Sequence, residues 1–142
     1  MKLRPILAVV AGYVAWVIGF WVPNTLLALA WPALREAAAV WSDQGRYDVF
    51  DTPMLIAFQF TWPIANAAAG FVTRLISRRQ LEVWCLAALL FAYFAYNHLY
   101  AIWDQMPAWY NVVVVIPVVP MVIVGSLVAR LVGRRSAVPG SV

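Results

Sequence analysis

Charge is scarce in this chain. Only 11% of its 142 residues are Asp, Glu, Lys or Arg, against about 25% in a soluble globular domain. Too few charged side chains exist to coat a water-facing surface. There is one cysteine, Cys85, and one histidine, His98. A lone cysteine excludes an internal disulfide, and with it an oxidoreductase built on a cysteine pair; Cys85 is expected as a small apolar filler. A lone histidine does not make a metal site, which needs several ligands in suitable geometry. Asp104, six residues after His98, is a poor partner on helical spacing; a solvated ring, or one bonded to a neighbour, is the simpler expectation. No nucleophile–base pair, carboxylate pair or metal cluster stands out, so no enzyme, catalytic residue or cofactor is expected.

What the chain does have is apolar length. Hydrophobic residues make up 65% of it, gathered in four runs over about 5–31, 53–76, 81–103 and 107–132. Each exceeds the roughly 20 helical residues that cross a hydrocarbon core. The expected fold is all-α, a four-helix transmembrane bundle forming one membrane domain over 1–142, with a single long connection at 32–52. The first run starts with Lys2 and Arg4, and Ala28-Leu29-Ala30 resembles a signal-peptide cleavage site. The run is far longer than the 7–15 residues of a signal core, so an uncleaved helix is expected.

The net charge of +4 is a matter of placement. Eight of the ten basic residues (Lys2, Arg4, Arg74, Arg78, Arg79, Arg130, Arg134 and Arg135) fall at the two termini and in the second connection. The other two connections hold Arg35 and Arg46 against Glu36, Asp43, Asp48, Asp51 and Asp104. Both termini are therefore expected in the cytoplasm by the positive-inside rule. Arg74, Arg78, Arg79, Arg130, Arg134 and Arg135 are candidates for contact with anionic lipid. Nucleic acid is not an expected partner, because no basic domain exists to hold it.

Local patterns refine this. The first span carries small residues at helical spacing: Ala8 and Gly12, then Ala11, Ala15 and Gly19. Such rows let helices approach closely in lipid, within one bundle or between copies. Pro23-Asn24 predicts a loosened helix, and Pro117 with Pro120 predicts a bend in the last span. Ala33–Trp41 reads as a short surface helix ending in a Ser42–Gly45 turn, and Thr52-Pro53 reads as the cap and first residue of the second span. Arg74–Arg79 and Arg130–Arg135 are similar segments, consistent either with a duplicated hairpin or with the arginines any cytoplasmic helix end acquires.

Polar residues within the spans cluster toward the outer side: Asn24, Gln59, Thr61, Asn97, His98 and Asn111, with Asn66 nearest the midplane. An amide without a partner in lipid costs several kcal/mol, so these groups are expected to face the bundle. They predict either hydrogen bonds between helices or a polar pocket formed by Gln59, Asn66, Tyr96, Asn97 and His98. No acid lies deep in a span, which proton-coupled transport usually requires. In this the first span differs from that of the small four-span multidrug antiporters.

The opening of the chain (Lys2, then Ile6 to Gly12), the segment Trp103-Asp104-x-x-Pro107-x-Trp109-Tyr110, and the prolines and Gly125 of the last span carry a resemblance. By these the chain resembles a group of small uncharacterised bacterial inner-membrane proteins. The resemblance implies four spans in that membrane and no activity. The leading functional expectation is a non-enzymatic accessory, scaffold or partner-binding subunit, in one copy or as a homo-oligomer. The alternative is a small transporter or channel for a neutral or weakly polar solute.

Overall fold

The computed structural model describes residues 3–135, and the Arg134 and Arg135 side chains and Lys2 lie outside what is described. Among the described residues there is no strand. Four helical segments, Leu3–Ala30, Thr52–Ser77, Gln80–Ala101 and Ala108–Gly133, are long and apolar enough to cross a membrane. This is the four-helix architecture read from the apolar runs.

Helix α1 (Leu3–Ala30) runs on through Pro23. The ring removes one backbone donor, and next to it the Asn24 Nδ2 donates to the Phe20 carbonyl at 2.7 Å. Trp31 is extended, as a residue before proline should be, and Pro32 opens α2 (Pro32–Gln44). Gly45 ends α2 in the left-handed conformation (φ 66°), its N–H bonded to the Trp41 carbonyl at 2.8 Å. Helix α2 buries Leu34 and Ala37 in a small cluster with Met54, against Leu27, Ala28 and Phe58.

In the following loop, Arg46 and Asp48 pair at 2.7 Å on the surface. The hydrogen bond from Arg46 holds the Asp48 carboxyl below its ordinary range, so the pair is lost as the pH falls through that lowered value. Such an exposed pair contributes little to stability.

Helix α3 (Thr52–Ser77) is capped one residue earlier than the sequence suggested. Asp51 is the cap and its Oδ1 accepts from the Met54 N–H at 3.0 Å, which moves Thr52 and Pro53 into the first turn. An ionised carboxylate serves the exposed helix N–H groups better than a threonine hydroxyl. At its other end Arg78 adopts φ 57°, a left-handed conformation with a Cβ penalty. Arg78→Gly is therefore expected to raise stability by roughly 1 kcal/mol, measurable by thermal unfolding in detergent; a lowered unfolding temperature would contradict this.

Helix α4 (Gln80–Tyr96) widens into a single π turn over Asn97–Ala101, which holds His98. A 3-10 turn (Trp103–Gln105) leads to α5 (Ala108–Val115). The fourth span breaks at Ile116-Pro117 and resumes as α6 (Val118–Arg135), where the prolines predicted a bend.

Helix α3 lies between α1 and α6. Gly12 sits against the Thr73 hydroxyl and Leu86, and Gly19 against Ala65. On the other side Gly70 sits on the Val122 backbone and Gly125 on the Ala67 backbone. Gly12 and Gly19 thus pack within one bundle. The start of α1 and the end of α3 meet at the same end, where Arg4 Nε donates to the Ile76 carbonyl at 2.8 Å. Arg78, Arg79 and Arg130 are exposed and Arg74 is half-buried. This terminal end is closely packed; the opposite, connection end carries α2.

Candidate functional site

Toward the connection end the bundle opens into a cavity of about 520 Å³. Its construction follows from helical spacing. On α1, Trp16 and Phe20 are one turn apart; on α3, Phe58 and Trp62 are likewise; on α4 and its π turn, so are Phe94 and His98. All six line the cavity. Trp62 stacks on Phe20 at 4.1 Å and meets Phe94 edge-on at 4.8 Å. Trp16 stacks on Trp62 at 6.1 Å and meets Phe94 edge-on at 5.7 Å. Trp16, Trp62 and Phe94 make a continuous floor, and Leu34, Ala38 and Trp41 of α2 roof the far side.

Between α1 and α4 the wall is incomplete. Tyr13, Trp21 and Tyr93 line the cavity and are each about half exposed. They lie on segments long and apolar enough to cross a membrane.

Among the described residues, no Asp, Glu, Lys or Arg lines the cavity. Five of its polar side chains bond within the protein. Asn24 Oδ1 accepts from the Thr61 hydroxyl at 3.2 Å, which ties α1 to α3. Asn97 Nδ2 donates to the Tyr93 carbonyl at 2.9 Å. Trp62 Nε1 donates to the Tyr110 hydroxyl at 3.3 Å. The His98 Nδ1 pairs with Asn111 Oδ1 at 3.1 Å, and Asn111 Nδ2 donates in turn to the Trp103 and Met106 carbonyls. Asn111 thereby fastens the 3-10 turn to α5.

Of the five residues expected to form a polar pocket, Asn97 and His98 line this cavity; Gln59, Asn66 and Tyr96 do not. Tyr96 is 62% exposed, its ring beside Tyr100 at 5.5 Å, because α4 turns Phe94 inward instead. Asn66 lies one turn beyond Trp62 on α3, 0% exposed, and neither of its amide atoms has a partner among the described residues. Gln59 is half-buried with its Nε2 sealed and unpartnered. Trp16, Trp62, Phe94 and Tyr110 did not stand out in the sequence, although the one-turn spacing of aromatic residues on three spans is a visible signal.

His98 is buried and bonded to Asn111, thirteen residues away, and Asp104 is not its partner. Among the described residues, no group of three or more His, Cys, Asp or Glu is placed to hold a metal ion. Cys85 is exposed rather than a buried filler: it lines a shallow apolar groove with Pro5, Val9 and Glu82 at the terminal end, facing outward on α4.

The two buried asparagines should respond in opposite ways. Asn111→Leu removes three hydrogen bonds and strands His98, at an expected cost of roughly 2 kcal/mol. Asn66→Leu removes an unpaired amide and should be neutral or stabilising. Thermal unfolding of both variants in one detergent checks the contrast; equal losses would refute it.

No family model matches the chain, and no curated protein or solved structure is significantly similar to it.

Proposed function

We propose that the chain is a non-enzymatic protein of the bacterial inner membrane that binds an uncharged, largely apolar small molecule in the outer half of its bundle. The observation that carries this reading is the aromatic cavity of about 520 Å³, a size within the range of small-molecule sites. It lacks any charged lining residue, so a carboxylate or ammonium entering it loses hydration without a partner. With both termini cytoplasmic, as the arginine distribution favours, the cavity lies in the outer leaflet. Arg74, Arg78, Arg79 and Arg130 then face the anionic lipids of the inner leaflet.

Binding is compatible with an accessory role beside a membrane partner. A structural role is favoured for Asn24 with Thr61 and for Asn111, which bond between helices. Translocation has less support: beneath Trp16 and Trp62, glycines at Gly12, Gly70 and Gly125 hold the helices in close contact.

Biphenyl and two charged relatives, biphenyl-4-carboxylate and 4-biphenylmethylammonium, provide the test. A ligand that binds only the folded state stabilises it by about 2.7 kcal/mol at a hundred times its dissociation constant. Biphenyl is expected to raise the unfolding temperature of the native protein, and the charged compounds are not. Ala38→Phe, which fills the cavity from α2, should abolish the effect. Equal stabilisation of native protein and Ala38→Phe by biphenyl would overturn the proposal.

A further inference from the structure

The cavity holds a buried acceptor whose hydrogen-bonding role the protein has fixed and left unused. Asn111 Nδ2 faces two backbone carbonyls, those of Trp103 and Met106, at 3.2 and 3.3 Å. Carbonyls only accept, so the amide nitrogen must be on that side and Oδ1 must be the atom facing His98. Oδ1 also only accepts. The His98 Nδ1, 3.1 Å away, must therefore carry the proton. In a neutral imidazole one nitrogen donates and the other accepts, so Nε2 is left with a bare lone pair.

No protein group bonds Nε2 among the described residues, and His98 lines the cavity. The ring is held by more than that one bond. It stacks on Phe94 at 6.0 Å and meets Trp62 and Tyr110 edge-on at 6.5 and 5.9 Å. No carboxylate among the lining residues is available to balance a second proton on it. Of the other lining acceptors, Thr25, Asn97, Tyr13, Tyr47 and Tyr93 belong to less buried residues than His98. The Asn24 oxygen already accepts from Thr61, and the Tyr110 hydroxyl from Trp62.

We infer that His98 is the specificity-determining residue of the cavity: its Nε2 accepts a hydrogen bond from a hydroxyl or N–H on the ligand, so the site selects an uncharged lipophile that carries one such donor. The inference rests on the reading of the cavity as a binding site. It narrows the ligand class to hydrophobic alcohols, phenols or amides, and places their polar end at the π turn with their apolar body against Phe20, Trp62 and Phe94. An ether or hydrocarbon of the same shape fits the same walls but leaves Nε2 unpaired.

The chain has a single histidine, so ¹⁵N-histidine labelling gives one pair of imidazole signals without assignment. The labelled protein in phosphatidylcholine nanodiscs is titrated with 4-biphenylmethanol and, separately, with 4-(methoxymethyl)biphenyl. Before addition, Nδ1 is expected in the protonated and Nε2 in the unprotonated range. The alcohol should shift Nε2 toward the hydrogen-bonded range and bind about five-fold more tightly than the ether, the ratio expected of one net hydrogen bond. His98→Asn keeps a donor near the Nδ1 position and removes Nε2; both probes should then bind equally. The native comparison stands even if that variant does not fold. A free protein protonated at Nε2, or equal native affinities with no Nε2 shift, would overturn the inference and leave the cavity reading intact. Failure of both probes to bind would overturn both.

Discussion

Gly70→Ala and Gly125→Ala are each expected to destabilise the bundle by about 3 kcal/mol, the upper end of what overpacking typically costs. A methyl group at Gly70 would meet the backbone of Val122, and one at Gly125 the backbone of Ala67. A flexible side chain could rotate away from such a methyl, but a helix backbone cannot. Relief requires the whole of α6 to move off α3, with loss of the van der Waals contacts that hold helices together in lipid. Gly133, on the same helix with open space around it, supplies the control. Gly133→Ala should be neutral or slightly stabilising, because alanine is the better helix former. Unfolding followed by circular dichroism in mixed micelles measures all three. A Gly125→Ala protein within about 1 kcal/mol of native would show that the α3–α6 contact adapts more readily than the geometry implies.

Trp16→Ala is expected to cost about 3–5 kcal/mol, the usual range for deleting a large buried aromatic side chain. The Trp16 ring is 5% exposed and lies against Tyr13, Phe20, Trp62, Tyr93 and Phe94 at centroid distances of 5.7 to 6.2 Å. It packs between α1 and α4 beside the cavity. Trp16→Phe should behave differently. It retains most of the packing and removes an indole N–H that is buried without a partner, so it should cost well under half as much. If alanine and phenylalanine at this position are equally destabilising, the ring's packing is not what the fold depends on there.

Much of the architecture was legible in the sequence because hydropathy reports length directly. The four apolar runs coincide with the four membrane-length helices to within a few residues at each end. Pro117 in the last span and the glycine after α2 mark real interruptions, whereas Pro120 lies within α6. The cavity was not legible in the same way. In a membrane helix the lipid-facing and bundle-facing sides are both apolar, so periodicity does not say that Trp16 faces in while Trp21 is half exposed, or that Phe94 faces in while Tyr96 does not.

The polar residues were misleading for a related reason. The expectation that buried amides gather around a pocket led to Asn66 and Gln59, which lie outside the cavity without partners, and passed over the aromatic rows that build it. His98 and Asn97 were visible as polar groups within a span, but the pairing of His98 with Asn111 depends on the π turn and the chain reversal between them.

The central claim is that one half of the bundle is closed by glycine-mediated packing and the other is built to hold an uncharged lipophile. It is tested most directly by native mass spectrometry of the protein purified from its membrane in a mild detergent. The account predicts one small, uncharged, hydroxyl- or N–H-bearing lipophile retained per chain, absent from Ala38→Phe purified in the same way. A native protein that carries only ordinary phospholipid, in the same amount as Ala38→Phe, would contradict it.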